Sequence, residues 1–333
     1  MSTRPALTVL TQNLYLGADL APALAAATPA AFVAAVAAAH AGVLSTDFPR
    51  RAAAFADLVA AARPAILGLQ EVADWQVRVR ERRVEGQDFL VILLSALVAR
   101  GLDYRVAAVS PNALVGPAPL GTDGHLTLRD RDVVLVDATA ADLVVTEATS
   151  GRYVMQESLT PPLGPPISFA RGWAAVDATW SGVPLRFVTT HTELDAFPNT
   201  QLAQVHELLT GPAAGPGAVV VTGDLNAVPG TAPYGVLVQA CADAWSVNGD
   251  DPGATCGRDH ALADPTVILA SRIDLVLIRG PVRTLSARVV GTEPLVGGAG
   301  PPWWVSDHAG VLAALEVDLT APAGGDRPAT NPR

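Results

Sequence analysis

The stretch Ala218 to Gly230, AVVVTGDLNAVPG, restricts the possible folds of this chain more than any other. Ala218, Val219, Val220 and Val221 are small or β-branched apolar residues in succession, the signature of a strand buried on both faces. Thr222-Gly223 ends that run and delivers Asp224 and Asn226 to the strand's carboxyl end. Two residues apart in an extended segment, the two side chains can point the same way, one an anion and the other an amide that both donates and accepts. Such a pair suits a phosphate and a hard metal; an Asp/Asn turn at a strand end is the plainer alternative.

Other strands end in the same manner. Ala6 to Thr11 reads as a first strand that presents Asn13, Ala65 to Leu69 one that presents Glu71, and Val183 to Thr190 one that presents His191. Arg272 to Ile278 is a strand containing Asp274, and Asp307-His308 precede the strand Gly310 to Val317. Helices are expected from Thr28-Pro29 to about His40, after Asp47 with Ala52, Phe55, Leu58, Val59 and Ala62 on one face, over Phe89 to Arg100, over Gln201 to Leu209 and over Thr231 to Ala240. The Arg/Glu-rich run Val77 to Glu85 reads as a solvated loop or helix entry, and Pro111 to Arg129 as a long Pro/Gly-rich loop. Leu143 to Glu147 and Tyr153 to Gln156 read as a hairpin turning at Thr149-Ser150-Gly151, and Ile167 to Trp180 as one long strand. Patterning alone supports many strands, several helices and one core.

Charge narrows the partners. All 22 basic residues are Arg and the net charge is -10, so a general electrostatic grip on duplex nucleic acid or an anionic membrane is disfavoured and any polyanion must be held locally. No stretch reaches the roughly 18 apolar residues of a membrane span. MSTRPALTVLTQN runs straight into a strand without a secretory h-region, which points to a cytoplasmic protein, a secreted mature form being the alternative. Cys241 and Cys256 could close a disulfide, with two reduced thiols favoured. A monomer is expected, with one domain over residues 1 to 319 and a Pro/Gly-rich disordered tail over 320 to 333.

Together these strand-end side chains have the content of a metal-assisted phosphoester hydrolase. Glu71, helped by Asn13 or Asp307, can hold Mg²⁺, while two histidines protonate a leaving oxygen and orient or activate water. The stretches TQNLYLG, LGLQEV, RGW, TTHTE, VTGDLNAVPG, SRIDLVLI and WVSDHAGV, in that order over residues 7 to 317, resemble those of the endonuclease/exonuclease/phosphatase superfamily. That superfamily includes the DNase I-like nucleases, the inositol polyphosphate 5-phosphatases and the neutral sphingomyelinases.

The resemblance implies an α/β fold, the DNase I-like four-layer α/β/β/α sandwich with two mixed β-sheets and the site where strand exits converge. It implies Asn13, Glu71 and Asp307 as the metal site, with Mg²⁺ first and Mn²⁺ as substitute. Asp224 and Asn226 would contact the attacking water and the phosphate, and Asp274 would hold the His308 ring. His191 and Arg171 would join Asn226 on the phosphate. Whether Asp224 or His308 takes the water's proton stays open. Asp132 serves either a turn or the orientation of His191, and Trp303-Trp304 either an apolar shelf or the closure of one end of the fold. The expected substrate is a small phosphoester or lipid headgroup; the alternatives are a DNase I-like endonuclease or exonuclease and a catalytically silent binding module on the same fold.

Overall fold

The structure, a computed structural model, describes residues 5–80, 82–163, 166–295 and 300–318. The tail expected over 320 to 333 lies outside the described residues, as does part of the Gly291 to Pro302 segment. In chain order the elements are β1 (Leu7–Asn13), α1 (Ala21–Leu24), α2 (Pro29–Ser45), α3 (Phe48–Ala62), β2 (Ile66–Gln70), β3 (Asp74–Val79), β4 (Arg82–Asp88) and α4 (Phe89–Val98). Then follow β5 (Tyr104–Leu120), β6 (Gly124–Asp137), β7 (Leu143–Arg152), β8 (Ser158–Leu159), β9 (Ile167–Ser168), β10 (Gly172–Trp180) and β11 (Val183–His191). The chain continues with α5 (Pro198–Thr210), β12 (Ala218–Asp224), α6 (Ala232–Ala240), β13 (Ala242–Asp243), β14 (Asp274–Arg279), β15 (Val282–Val290) and β16 (Gly310–Val317).

Two large mixed sheets stack face to face with helices outside. The first runs β15-β16-β1-β2-β6-β3-β4, with β5 added on β6; the second runs β13-β14-β12-β11-β10-β7. Leu7, Val9, Ile66, Val176, Phe187, Val220 and Val311 interdigitate between them. Outside the first sheet, Val36, Phe55, Val59 and Leu93 bring α2, α3 and α4 onto it; outside the second, Val205, Leu208 and Leu237 bring α5 and α6. The helix starts follow from their caps: Thr28 accepts from Ala31 N at 3.2 Å and Asp47 from Arg50 N at 3.2 Å, each with proline in the first turn. No single helix among the described residues is long and apolar enough to cross a membrane.

Strand direction builds the site. At the centre of one sheet β1 and β2 run parallel, with Asn13 opposite Gln70, so Asn13 and Glu71 leave the sheet together. At the centre of the other, β11 and β12 run parallel with His191 opposite Asp224. Strands β14 and β16 run antiparallel to β12 and β1, so their first residues lie at that same end, Asp274 facing Asp224 in register. Between the sheets near this end the packing is small and polar. A Cβ on Gly68 would come within 2.4 Å of Thr222 Oγ1 and 2.6 Å of Thr189 Oγ1, which is why the position carries glycine.

Four expected elements differ. The Val77 to Glu85 run is not a loop but the β3–β4 hairpin at the sheet edge, where alternating charges keep an exposed strand from recruiting another. Pro111 to Arg129 is largely paired strand: β5 and β6 form a long hairpin, and the prolines sit on β5, which among the described residues pairs with β6 alone and is bulged there. Residues 143 to 152 are one continuous strand rather than a hairpin. Gly151 marks no turn; a Cβ there would lie 2.7 Å from the Trp173 ring. Finally, Ile167 to Trp180 breaks into β9 and β10, with Arg171 just ahead of β10.

Candidate active site

Asn13 joins the two sheets. Fully buried, its amide Nδ2 donates to Glu71 Oε1 at 3.2 Å and to Asp224 Oδ2 at 3.1 Å, while its Oδ1 accepts from Tyr15 N at 2.8 Å. The other Glu71 oxygen accepts from Leu16 N at 2.7 Å. Three residues at the strand exits, Tyr15, Glu71 and Asn226, have φ of 60°, 54° and 46°, a left-handed conformation that non-glycine residues adopt at a cost. That strain is concentrated where the side chains converge.

Asp224 is the hub of the second sheet's contribution. Its Oδ2 lies 3.4 Å from His191 Nε2 and 3.8 Å from His308 Nδ1, and its Oδ1 accepts from Asn226 N at 3.1 Å. His308 Nδ1 makes its close contact, 2.8 Å, with Oδ2 of the wholly buried Asp274. Asn226 is fixed through Nδ2 to the Thr192 carbonyl at 3.0 Å. Ser306 stitches the final segment onto β1, donating to Asn13 O at 2.7 Å and accepting from His308 N at 3.1 Å.

The site's electrostatics push its groups apart. Burial raises the Glu71 carboxyl to about 7, reinforced by Asp307 and Asp130 and opposed by His308 and the Asn13 hydrogen bond. Burial likewise lifts Asp224 to about 6 against the opposing pull of His308. For His308, burial alone would favour the neutral ring, but Asp274 and Asp224 override it and hold the imidazole well above its ordinary value. His191 moves the other way, well below its ordinary value, through burial and the nearby charges of Arg171 and His308. The two histidines are therefore driven in opposite directions, His308 toward its charged form and His191 toward its neutral form.

Arg171 lies 3.8 Å from Glu193 Oε1, and its backbone is gripped by Gln156, which donates to Arg171 O and accepts from Arg171 N, both at 2.7 Å. Its charge also opposes the raised values of the buried acids Asp130 and Asp132. Asp132 sits inside β6 opposite Ser110, not in a turn, and neither of its oxygens makes a hydrogen bond of normal geometry. Trp304 is buried, its indole donating to Asp264 O at 2.8 Å beneath the Arg258 guanidinium, so it closes one end of the fold; Trp303 beside it is partly exposed. Cys241 and Cys256 are both free thiols.

The donor set fits a hard divalent cation. Glu71 and Asp307 offer carboxylate oxygens, and the Asn13 amide oxygen, which already accepts from Tyr15 N, has a second lone pair; the part-buried Glu71 carboxyl, within the field of Asp307, gathers negative charge that such an ion offsets. Asp224, Asp274 and His308 also have donor atoms within 4.8 Å of one another. There, however, His308 and Asp274 are already hydrogen-bonded to each other, which suits proton handling better than metal binding.

Several supporting residues lie outside the strand-end pattern. Arg51, fully buried on α3, donates to the carbonyls of Leu14 at 2.6 Å, Thr46 at 2.8 Å and Val305 at 3.0 Å, tying the loop after Asn13 to the segment before Asp307. The signal for it was present: with Phe48, Ala52 and Phe55, Arg51 falls on the apolar face of the helix. Arg258 donates to the carbonyls of Ser306 at 2.9 Å and His308 at 3.0 Å, and Thr255 Oγ1 accepts from Asp274 N at 3.2 Å. Nothing in the local sequence marks either.

No curated protein matches the chain in sequence at a significant level. Solved structures match in shape. The Bacteroides thetaiotaomicron mannosyl-6-phosphatase Bt3783 superposes with a TM-score of 0.62 at 16% identity, covering 93% of this chain and 99% of its own. An endonuclease/exonuclease/phosphatase family protein from Leptotrichia buccalis gives 0.59 at 15% identity, with 93% and 100% covered. D. rerio TDP2, complexed with single-strand DNA product, gives 0.57 at 16% identity, with 94% and 99% covered. At such identities the likeness is one of fold. The sequence pattern of the Endonuclease/Exonuclease/phosphatase family matches residues 10–308, nearly the whole of the described chain. The chain belongs to that family.

Proposed function

We propose that the protein is a divalent-metal-dependent hydrolase of a small phosphoester or lipid headgroup, in which water attacks phosphorus. The observation that carries this reading is the meeting of Asn13, Glu71, Asp224 and His308 at one end of the sandwich, with Asn13 bonded to both carboxylates and Asp274 behind the His308 ring. Glu71, Asp307 and Asn13 would hold Mg²⁺, or Mn²⁺ in its place. The ion would offset charge on the phosphoryl group, which an acidic protein otherwise repels.

The chain's own groups divide the remaining work. Asp224, with its carboxyl at about 6, is poised to accept a proton from water near neutral pH, and Asn226 beside it orients that water or a phosphate oxygen. His308, held charged by Asp274, donates through Nε2 to a phosphoryl oxygen and is suited to stabilise charge there. His191, kept neutral against Asp224, supplies a further contact from the opposite strand. This arrangement supports Asp224 rather than His308 as the base. Arg171 pairs loosely with Glu193, at 3.8 Å through one guanidinium nitrogen, which leaves other N–H groups of its fork for a phosphate.

Among the structural neighbours, one is named as a phosphatase and another is complexed with a single-strand DNA product, so nucleic-acid cleavage is the competing reading. The absence of Lys and the net charge of -10 weigh against duplex DNA. One panel in Mg²⁺ buffer decides: plasmid DNA, RNA, sphingomyelin, inositol phosphates, nucleotides and generic mono- and diesters. Turnover of small esters that is lost in Asp224→Ala is the expected result. Efficient plasmid nicking with little ester turnover, lost in His308→Ala, would establish the nuclease reading instead. No turnover of any substrate would leave a binding module.

A further inference from the structure

A cavity of about 450 Å³ opens between α1, α2, the far part of the β5–β6 hairpin and the β8–β9 segment. Its wall is almost wholly apolar, with Leu24, Phe32, Val36, Trp75, Leu128 and Phe169 among its residues. The volume lies within the range of small-molecule sites, yet these walls present almost none of the polar groups that would hold water or a sugar. The occupant it suits is hydrocarbon.

The cavity adjoins the catalytic end through a short chain of contacts. Trp75, part of its wall, donates from Nε1 to Leu16 O at 2.8 Å, and Leu16 N donates to Glu71 Oε2 at 2.7 Å. Trp75 also pairs across the sheet with Leu128, another residue of the cavity wall. One loop residue, Leu16, thus lies between the apolar wall and the carboxylate proposed to hold metal. The hairpin reaches over the cavity because β5 bulges between Val115 and Ala118. At Gly116 a Cβ would meet Leu126 O at 2.5 Å, so the chain turns there only without a side chain.

We infer that this cavity takes the hydrocarbon chain of the substrate itself, which makes the substrate a phosphoester bearing an alkyl or acyl chain whose phosphate lies at the Glu71 and Asp224 end. This rests on the phosphoester hydrolase reading. At roughly 30 Å³ for a water-sized group, the cavity holds a chain of up to about 15 carbons. Each methylene moved from water into it should raise affinity about fourfold.

The test is a series of alkyl p-nitrophenyl phosphodiesters, from methyl to octadecyl, kept below their micelle concentrations. In each, water's oxygen bonds to phosphorus, the bond from phosphorus to p-nitrophenolate breaks, and the alkyl phosphate retains its chain. kcat/KM should rise by about threefold to fourfold per methylene and level off once the cavity is full. Ala118→Trp and Ala23→Trp fill the cavity from two half-buried wall positions. Each should flatten the series while leaving turnover of the methyl ester unchanged. Calorimetry with octylphosphonate against methylphosphonate supplies a readout independent of turnover, with tighter octyl binding and a negative heat-capacity change that both variants abolish. Methyl ester turnover without any chain-length dependence would overturn the inference and leave the hydrolase reading standing. A dependence that survives in both folded variants would also overturn it, placing the chain on the exposed apolar rim of Val154, Met155 and Leu194 instead. Failure to turn over any ester, with chain-length-independent phosphonate binding, would remove both readings.

Discussion

His308 and Asp274 share a hydrogen bond of 2.8 Å between Nδ1 and Oδ2, in which the carboxylate is wholly buried. In the proposed mechanism the anion engages Nδ1 and biases the ring toward its charged form. Asp274→Asn preserves shape but removes the charge, so kcat should fall by about 10² to 10⁴ with little change in KM. The sign of the pH effect follows as well. Asp274 holds the His308 value up, so without it the ring loses its proton at lower pH and the alkaline limb of the kcat/KM profile should move to lower pH. Steady-state kinetics across pH check both, and an unshifted alkaline limb would remove the role given to this pair.

Activity should require added Mg²⁺, persist with Mn²⁺ and disappear with a chelator. Because Glu71 is a part-buried carboxylate within the field of Asp307, Glu71→Gln should raise the Mg²⁺ needed for half-maximal activity by at least about tenfold. The same substitution should erase any Mg²⁺-dependent rise in melting temperature. Metal titrations of the two proteins that coincide, by rate and by melting, would place the ion elsewhere, with Asp224, Asp274 and His308 as the next candidates.

The site was legible because strands announce where they end. A buried apolar run such as Val219 to Val221 followed by Gly223 fixes the exit at which Asp224 must stand, and the same holds for Asn13, Glu71 and His191. Pairing across a sheet is not local, so sequence could not show that Asp224 faces Asp274 in register. Proline and glycine misled where they serve packing instead of turning: on the edge strand β5, and at Gly151 beneath the Trp173 ring. The supporting arginines were hidden for a different reason. Arg51 reaches Val305 across 254 positions, a contact that no local pattern records.

Arg51 should be a positioning residue whose loss is felt in stability and metal binding before chemistry. Burial lowers its guanidinium to about 10, and Asp307 and Tyr15 partly restore it. Arg51→Met fills much of the volume but leaves the carbonyls of Leu14, Thr46 and Val305 without their donor, at about 1 to 3 kcal/mol for each one that finds no substitute. Arg51→Lys should rescue only partly, since an ammonium cannot reproduce the planar fork. Melting curves and Mg²⁺ titrations of both variants test this. Wild-type melting together with wild-type Mg²⁺ dependence in Arg51→Met would show that the two loops hold without it.

Asp132 should cost the protein stability at neutral pH. It is fully buried, neither oxygen makes a hydrogen bond of normal geometry, and burial, then the neighbouring Asp130, push its carboxyl well above the ordinary value. A carboxyl whose value is raised on folding gives its full stability below the unfolded value, near 4, and loses it as pH rises through the folded value. Above that point the fold must either keep a proton that the unfolded chain has released or bury an anion. Asp132→Asn removes the carboxyl at nearly constant shape, so it should melt higher than the wild type at about pH 8, with the difference shrinking as pH falls toward about 4. Thermal melts of the two proteins across this range provide the check. A difference that is constant with pH, or that grows toward acid, would mean that Asp132 is ionised and well compensated in the folded protein, with Arg171 as the group able to compensate it.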